Sequence, residues 1–285
     1  MRDLKNPVTM ASAPLRDEVF AANRAVGRIA LTVAAGRGGT RRDRVHESGS
    51  LRARFPNRDG DTLDAVIVNV AGGMTGGDRF DIGIKVGAGA SLNVTTAAAE
   101  KVYRSLGPDT EIDVKLEAGP GAMLTWLPQE TILFDQARLR RKIDVQLAPD
   151  AGLLLAEASV FGRSAMGEAV SSGCFIDRWR VRVGETLVFA ESIRLDGGIA
   201  KHLHQRAVAG GSVAVAGVLK IPGDEEIVSR VRAMRQDFAG EVDASAWNGF
   251  ALTRCVAADG AALRHDLVKV LIALGGAPLP RLWLN

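Results

Sequence analysis

The amino-acid sequence predicts a mainly β fold: stacked β-sheets of strand–turn–strand repeats, solenoid-like or two-layered, with two α-helices in the C-terminal third. Three observations carry that reading. Segments of alternating apolar and polar residues recur about every 30 residues between Ile82 and Glu185. Each turns through Gly or Pro and enters a second apolar stretch. Two later segments abandon alternation for helical spacing.

The first strands of the repeat begin at Ile82, Ile112 and Ile143, 30 and 31 residues apart, and Trp179–Glu185 is a looser fourth copy. The second stretches are Leu92–Thr96, Met123–Leu127, Leu153–Ala156 and Thr186–Phe189. Alternation in a strand means one buried face and one wet face. Units that cannot bury a face alone must stack on their neighbours. An ordinary β-sandwich also shows regular turns, and the near-constant period favours the stack. Behind Pro222-Gly223, the segment Asp224–Phe238 places Ile227, Val231, Met234 and Phe238 on one helical stripe. Ala261–Leu274 does the same with Leu263, Leu267, Val270, Leu271 and Leu274, with Asp259 as cap and Gly275 as stop. A tail with prolines, Pro278 to Asn285, follows. No low-complexity linker divides the chain, so residues 1–285 are read as a single domain.

The glycine cluster Asn69-Val70-Ala71-Gly72-Gly73-Met74-Thr75-Gly76-Gly77-Asp78 has the GxxxxG spacing of a phosphate loop between Gly72 and Gly77. Such a loop continues with Lys and Ser or Thr and opens a helix whose N-terminus faces the anion. Here Asp78 and Arg79 follow, and then the alternating Phe80–Val86. The acid repels phosphate, and the strand removes the helix. The cluster reads as a tight turn between strands.

Hydrophobic residues make up 47% of the chain and aromatics only 5%, so the core is mostly aliphatic. With 36 basic and 33 acidic residues the charge is too balanced for a nucleic-acid partner. The Arg-rich stretches Arg37–Arg44 and Arg138–Lys142 lack interleaved aromatics for base stacking. Cys174 and Cys255 form no disulfide framework or zinc knuckle, which fits a cytoplasmic setting. Met1–Phe20 has no apolar signal core, and no run approaches the ~20 apolar residues of a membrane span.

For chemistry, His202-Leu203-His204 is a candidate metal pair: in a strand, residues two apart share a face. No third ligand is evident where zinc or nickel sites need three or four, so two surface histidines remain the competing reading. No Gly-x-Ser-x-Gly elbow occurs. Three polar segments stand out beyond ordinary turns: Thr95–Ser105, Trp126–Asp135 and Gly162–Glu168. Stacked repeats bring corresponding loops to one edge, where they would form a shared surface, a channel mouth or the rim of an enzyme site of unknown chemistry.

These segments, in order from Gly72-Gly73 and Gly76-Gly77-Asp78-Arg79 through Lys101-Val102-Tyr103-Arg104-Ser105, Trp126-Leu127-Pro128-Gln129 and Gly162-Arg163, resemble the UreD (UreH) family of urease accessory proteins. The likeness covers roughly residues 65 to 200 and extends to Pro280-Arg281-Leu282-Trp283. Val70 or Ala71 stands where the family tends to have Pro, Ala97–Ala99 lacks its Gln, and Glu130 replaces a second Pro. The resemblance implies a stacked β-fold with two helices and a non-enzymatic chaperone or scaffold for nickel insertion. Its partners would be apo-urease and the UreF-like and UreG-like accessory proteins, with GTP bound by the UreG-like partner. No cofactor is implied beyond Ni²⁺ in transit. Asp78, Asp135 and Glu168, inside the matched motifs, become candidates for a nickel path, since oxygen ligands suit transient binding. Asp78 capping its own turn and Glu168 pairing with Arg163 are the structural alternatives. A nickel store built on His202 and His204 is a further alternative.

Overall fold

A computed structural model describes residues 23–56, 60–163, 166–275 and 279–284. Met1–Phe20, read above for signal features, and Pro278 lie outside the described residues. In chain order the first strands are β1 (Val26–Gly36), β2 (Gly39–Gly49), β3 (Leu51–Arg54), β4 (Leu63–Asn69), β5 (Arg79–Val86), β6 (Ser91–Thr96) and β7 (Glu100–Val102). There follow β8 (Thr110–Ala118), β9 (Met123–Leu127), β10 (Thr131–Leu133), β11 (Arg138–Leu147), β12 (Gly152–Phe161), β13 (Gly173–Val183) and β14 (Thr186–Gly197). The last third holds α1 (Ile199–Leu203), β15 (Ala214–Ile221), α2 (Glu225–Ala233), β16 (Glu241–Trp247), β17 (Phe250–Ala257) and α3 (Gly260–Gly275).

The strands form two stacked sheets. One is ordered β14-β13-β11-β8-β5-β1-β2, the other β16-β17-β15-β12-β9-β6-β4-β3. Each repeat runs up one sheet and returns down the other, so neighbouring copies pair in parallel: β5 with β8, β8 with β11, β6 with β9 and β9 with β12. The outermost pairs, β1–β2, β3–β4, β13–β14 and β16–β17, are antiparallel.

The expected repeat register slips by two residues. Ile82 pairs with Val114, not Ile112, and Val114 pairs with Ile143. The spacings are therefore 32 and 29 residues, repeated in the second sheet by Leu92, Leu124 and Leu153. Side chains alternate with period two, so a two-residue slip preserves the buried face and leaves no trace in the hydrophobic pattern. The fourth copy is a correction: Val183 pairs with Thr186 across a tight turn, and β14 folds back antiparallel within the same sheet. Thr186–Phe189 thus never crosses to the other layer.

Ile29, Ile84, Val114, Ile143, Leu92, Leu124 and Leu153 fill the space between the sheets. A second core lies between the other face of β12, β15 and β17 and the helices α2 and α3. Since β12 is covered on both sides, all ten of its residues are buried, and its sequence reads as an apolar run instead of an alternation. The two expected helices form at α2 and α3. Asp224 caps α2 by accepting from the Glu226 and Ile227 amides at 3.1 Å each. This helix ends at Ala233 and gives way to a 3₁₀ turn, Arg235–Asp237. Asp259 caps α3 through the Ala262 amide at 2.8 Å, and the five predicted apolar positions are all buried. Asp266, also buried on α3, accepts from the Ala239 and Gly240 amides at 2.7 Å. No helix of the described residues is long and apolar enough to cross a membrane.

The closing Pro280-Arg281-Leu282-Trp283 docks on Trp126-Leu127-Pro128-Gln129. Trp283, 1% exposed, donates from Nε1 to the Leu127 carbonyl at 2.9 Å. Arg264 on α3 donates to Gln129 Oε1 at 2.7 Å, Glu130 Oε1 at 2.8 Å and the Leu282 carbonyl at 3.0 Å, with Trp283 beneath its guanidinium.

Candidate functional site

The polar loops do meet on one edge. Met74 bridges Val102, Val102 pairs with Leu133, and Leu133 pairs with Phe161, so four successive chain passes stack in parallel. Backbone bonds continue the ladder, with Ser105 N to Gln136 O at 3.1 Å and Gln136 N to Ser172 O at 2.9 Å.

The glycine cluster is a turn between β4 and β5. Asn69 Oδ1 accepts from the Ala71 amide at 3.0 Å, the local bond expected of a turn Asn. Gly73, at φ 143°, lies where a Cβ would stand 2.5 Å from the Tyr103 ring. Asp78 is buried and spends both oxygens on backbone: Thr75 N at 2.7 Å and Ala25 N at 2.8 Å. It thereby fastens the segment leading into β1 onto the turn. Asp135 Oδ1 accepts from Ser171 N, Ser171 Oγ and Ser172 N at 2.8, 2.8 and 3.2 Å. Burial raises its pKa, but these donors outweigh it and leave the carboxyl below its ordinary value. Glu168 pairs with Arg163 at 2.6 Å and reaches the Asp135 amide at 3.4 Å. The structure thus brings Asp135 and Glu168 together, with Asp78 on an earlier pass of the edge.

The histidine pair is placed differently from expectation. His202 belongs to the short helix α1, not to a strand. Residues two apart in a helix are turned by about 200°, so His202 and His204 do not share a face. His204 Nδ1 lies 2.7 Å from the Ala200 carbonyl. Among the described residues no three His, Cys, Asp or Glu side chains converge as a metal cage. Cys174 and Cys255 are buried, and burial pushes the Cys255 thiol up to about 12; such thiols are inert.

Sequence reasoning missed the most charged interior feature. Arg141 on β11, Glu157 on β12 and Asp177 on β13 meet between the sheets, each side chain 4% exposed. The Arg141 guanidinium bonds Glu157 and makes a forked pair with Asp177 at 3.1 and 2.5 Å. Trp126 Nε1 donates to Glu157 at 2.8 Å and Trp179 Nε1 to Asp177 at 3.2 Å. Burial pushes Glu157 up to about 7 against the pull of Arg141, with Asp177 adding to the rise. Burial alone would lower the Arg141 pKa, yet the two carboxylates raise it above its usual value. Two acids on one base leave the cluster one negative charge in excess when all are ionised. It forms one wall of a cavity of about 270 Å³ that also includes Trp179, Glu191, Gly217 and Arg254. The one available signal was a lone acid in the apolar run Leu153–Phe161 and a lone Arg at an inward position of β11.

Fold and site together define a stacked β-scaffold whose charged cavity lies between its two sheets. The chain belongs to the UreD family: residues 25–284 match the family described as UreD urease accessory protein. It is 55% identical over 267 residues to the urease accessory protein UreD of Rhodopseudomonas palustris strain BisA53, covering 94% of this chain and 93% of the relative. Strain BisB5 has a urease accessory protein UreD 55% identical over 274 residues, covering 96% and 97%. That of Bradyrhizobium diazoefficiens is 54% identical over 267 residues, covering 94% and 96%.

Proposed function

We propose that this protein is a cytosolic, non-enzymatic scaffold of urease maturation that holds apo-urease with UreF-like and UreG-like partners and gives Ni²⁺ an oxygen-lined route. Family membership supports the maturation role. The observation that carries the route is the inter-sheet cavity with Glu157, Asp177 and Glu191 in its wall. Carboxylates held against guanidinium groups bind a borderline cation weakly enough to release it. Asp78, Asp135 and Glu168 extend the proposal to the loop edge, where their present hydrogen bonds must be traded for the ion. The exposed Val70, Leu106 and Met166 of that edge offer apolar contact to a protein partner. GTP belongs to the UreG-like protein, since the glycine cluster here closes on an acid and a strand.

The test is co-expression with urease subunits and the UreF-like and UreG-like proteins, followed by co-purification and nickel analysis of urease. Omitting this chain should leave urease assembled but nickel-poor. Glu157→Gln, which leaves Arg141 paired with Asp177, should preserve the complex and lower its nickel content. Full nickel loading without this chain refutes the role; full loading with Glu157→Gln refutes the route.

A further inference from the structure

Glu157, Gly217 and Arg254 are in register across β12, β15 and β17. Neighbouring strands lie 4.7–4.9 Å apart, so about 10 Å separates the backbones of the buried acid and the outer arginine. Between them Gly217 presents no side chain: a Cβ there would stand 3.3 Å from Trp179 Cη2, so the indole lies directly over the strand. On the opposite sheet Trp179 is in register with Glu191 of β14, the last strand of its layer. Glu191 and Arg254 close across the gap between the sheets at 2.6 Å. All of these residues line the one cavity. The burial gradient is steep: the inner ion pairs are 4% exposed, whereas Glu191 is 15% and Arg254 54% exposed.

We propose, on the footing of the route set out above, that Arg254 is a guanidinium plug at the cavity mouth and that a divalent cation gains the interior by replacing it on Glu191. Arg141 serves the inner carboxylates as a fixed counter-cation, because both its partners are buried with it. Arg254 differs in having half its surface in water, and an ion pair with one solvated partner is held weakly. Its long side chain swings out without moving a strand. Exchange leaves Glu191 neutralised throughout: guanidinium departs to solvent as the metal arrives. Monovalent cations, with half the charge, compete poorly for the same carboxylate, so the plug also selects for charge.

Stopped-flow mixing of the purified protein with nickel chloride tests this, with Trp179 fluorescence as the reporter and Trp179→Phe identifying its share of the signal. Wild type should quench slowly. Arg254→Gln should quench at least tenfold faster with the same amplitude and the same thermal midpoint, and Arg254→Lys should stay slow because the cation is retained. Glu191→Gln should lose the fast phase when combined with Arg254→Gln. Equal rates for wild type and Arg254→Gln, with the Trp179 quench present, overturn the plug and leave the route standing. Absence of Trp179 quenching in every protein overturns the route and the plug together.

Discussion

Replacing Glu157 by Gln should make this protein more stable at alkaline pH, although it removes half of a buried ion-pair cluster. In the fold, burial raises the Glu157 carboxyl from its ordinary 4.5 to about 7. An acid with a raised native pKa binds its proton more tightly folded than unfolded. Its contribution is therefore fully present below the unfolded value and is lost as pH climbs through the folded one. At 1.36 kcal/mol per pH unit the rise corresponds to about 3 kcal/mol, and with the side chain 4% exposed there is no solvent to screen it. Gln keeps the shape and can still accept from Trp126 and Arg141, which retains Asp177 as its counter-ion. Urea denaturation at intervals from pH 4.5 to 8.5, followed by both tryptophan fluorescence and far-UV dichroism, measures the effect. Wild type should lose about 3 kcal/mol on this group between pH 4.5 and 8, superposed on the titration of other groups, and Glu157→Gln should lack that component. Parallel curves for the two proteins, or a variant less stable than wild type at pH 8, would refute the reasoning.

Trp283→Ala should cost about 3–5 kcal/mol, since it empties a fully buried site and orphans the Leu127 carbonyl; a thermal midpoint within 2 °C of wild type, roughly the shift of less than 1 kcal/mol, would contradict it. Asp78→Ala leaves the Ala25 and Thr75 amides without their acceptor and should destabilise by about 2 kcal/mol or more. Amide exchange should locate that loss at the start of β1. Gly73→Ala forces a Cβ against Tyr103 at an unfavourable φ and should lower the midpoint and alter Tyr103 fluorescence. An unchanged Gly73→Ala protein would mean that the turn rearranges freely.

The sheets and the late helices were legible because their signals are local: period-two alternation, an apolar stripe, the Pro222-Gly223 breaker and Asp259 at a helix start. The 32- and 29-residue register was invisible, because Ile82 facing Ile112 or Val114 gives the same buried face. The β13–β14 hairpin was missed because Val183-Gly184-Glu185-Thr186 turns as sharply as the crossovers do, and nothing in four residues says which sheet comes next. At the site, the meeting of the loops followed from repetition. Asp78 and Glu168 stood out because motifs surround them. Arg141, Glu157 and Asp177 did not, since they lie 16 and 20 residues apart in the chain; parallel pairing of β11 with β13 aligns Arg141 with Asp177, and Glu157 reaches them from β12 of the other sheet. The strand placement of His202 and His204 failed on five residues of helix too short to show a period.

A pile of parallel strands has no inherent last member: each rung offers the next the same row of amides and carbonyls. Here the reversal of chain direction at β1–β2 and β13–β14 supplies the stop. The outermost β2, with Arg41, Arg42 and Arg44 in its eleven residues, then presents like charge to any second copy approaching edge to edge. Rung number should accordingly be an adjustable property of this architecture. A tandem copy of residues 82–113, joined after Asp113 where Ile82 takes the place of its partner Val114, would meet compatible neighbours on both sides, while deletion of β2 would expose β1 and turn a finite molecule into the seed of a fibre.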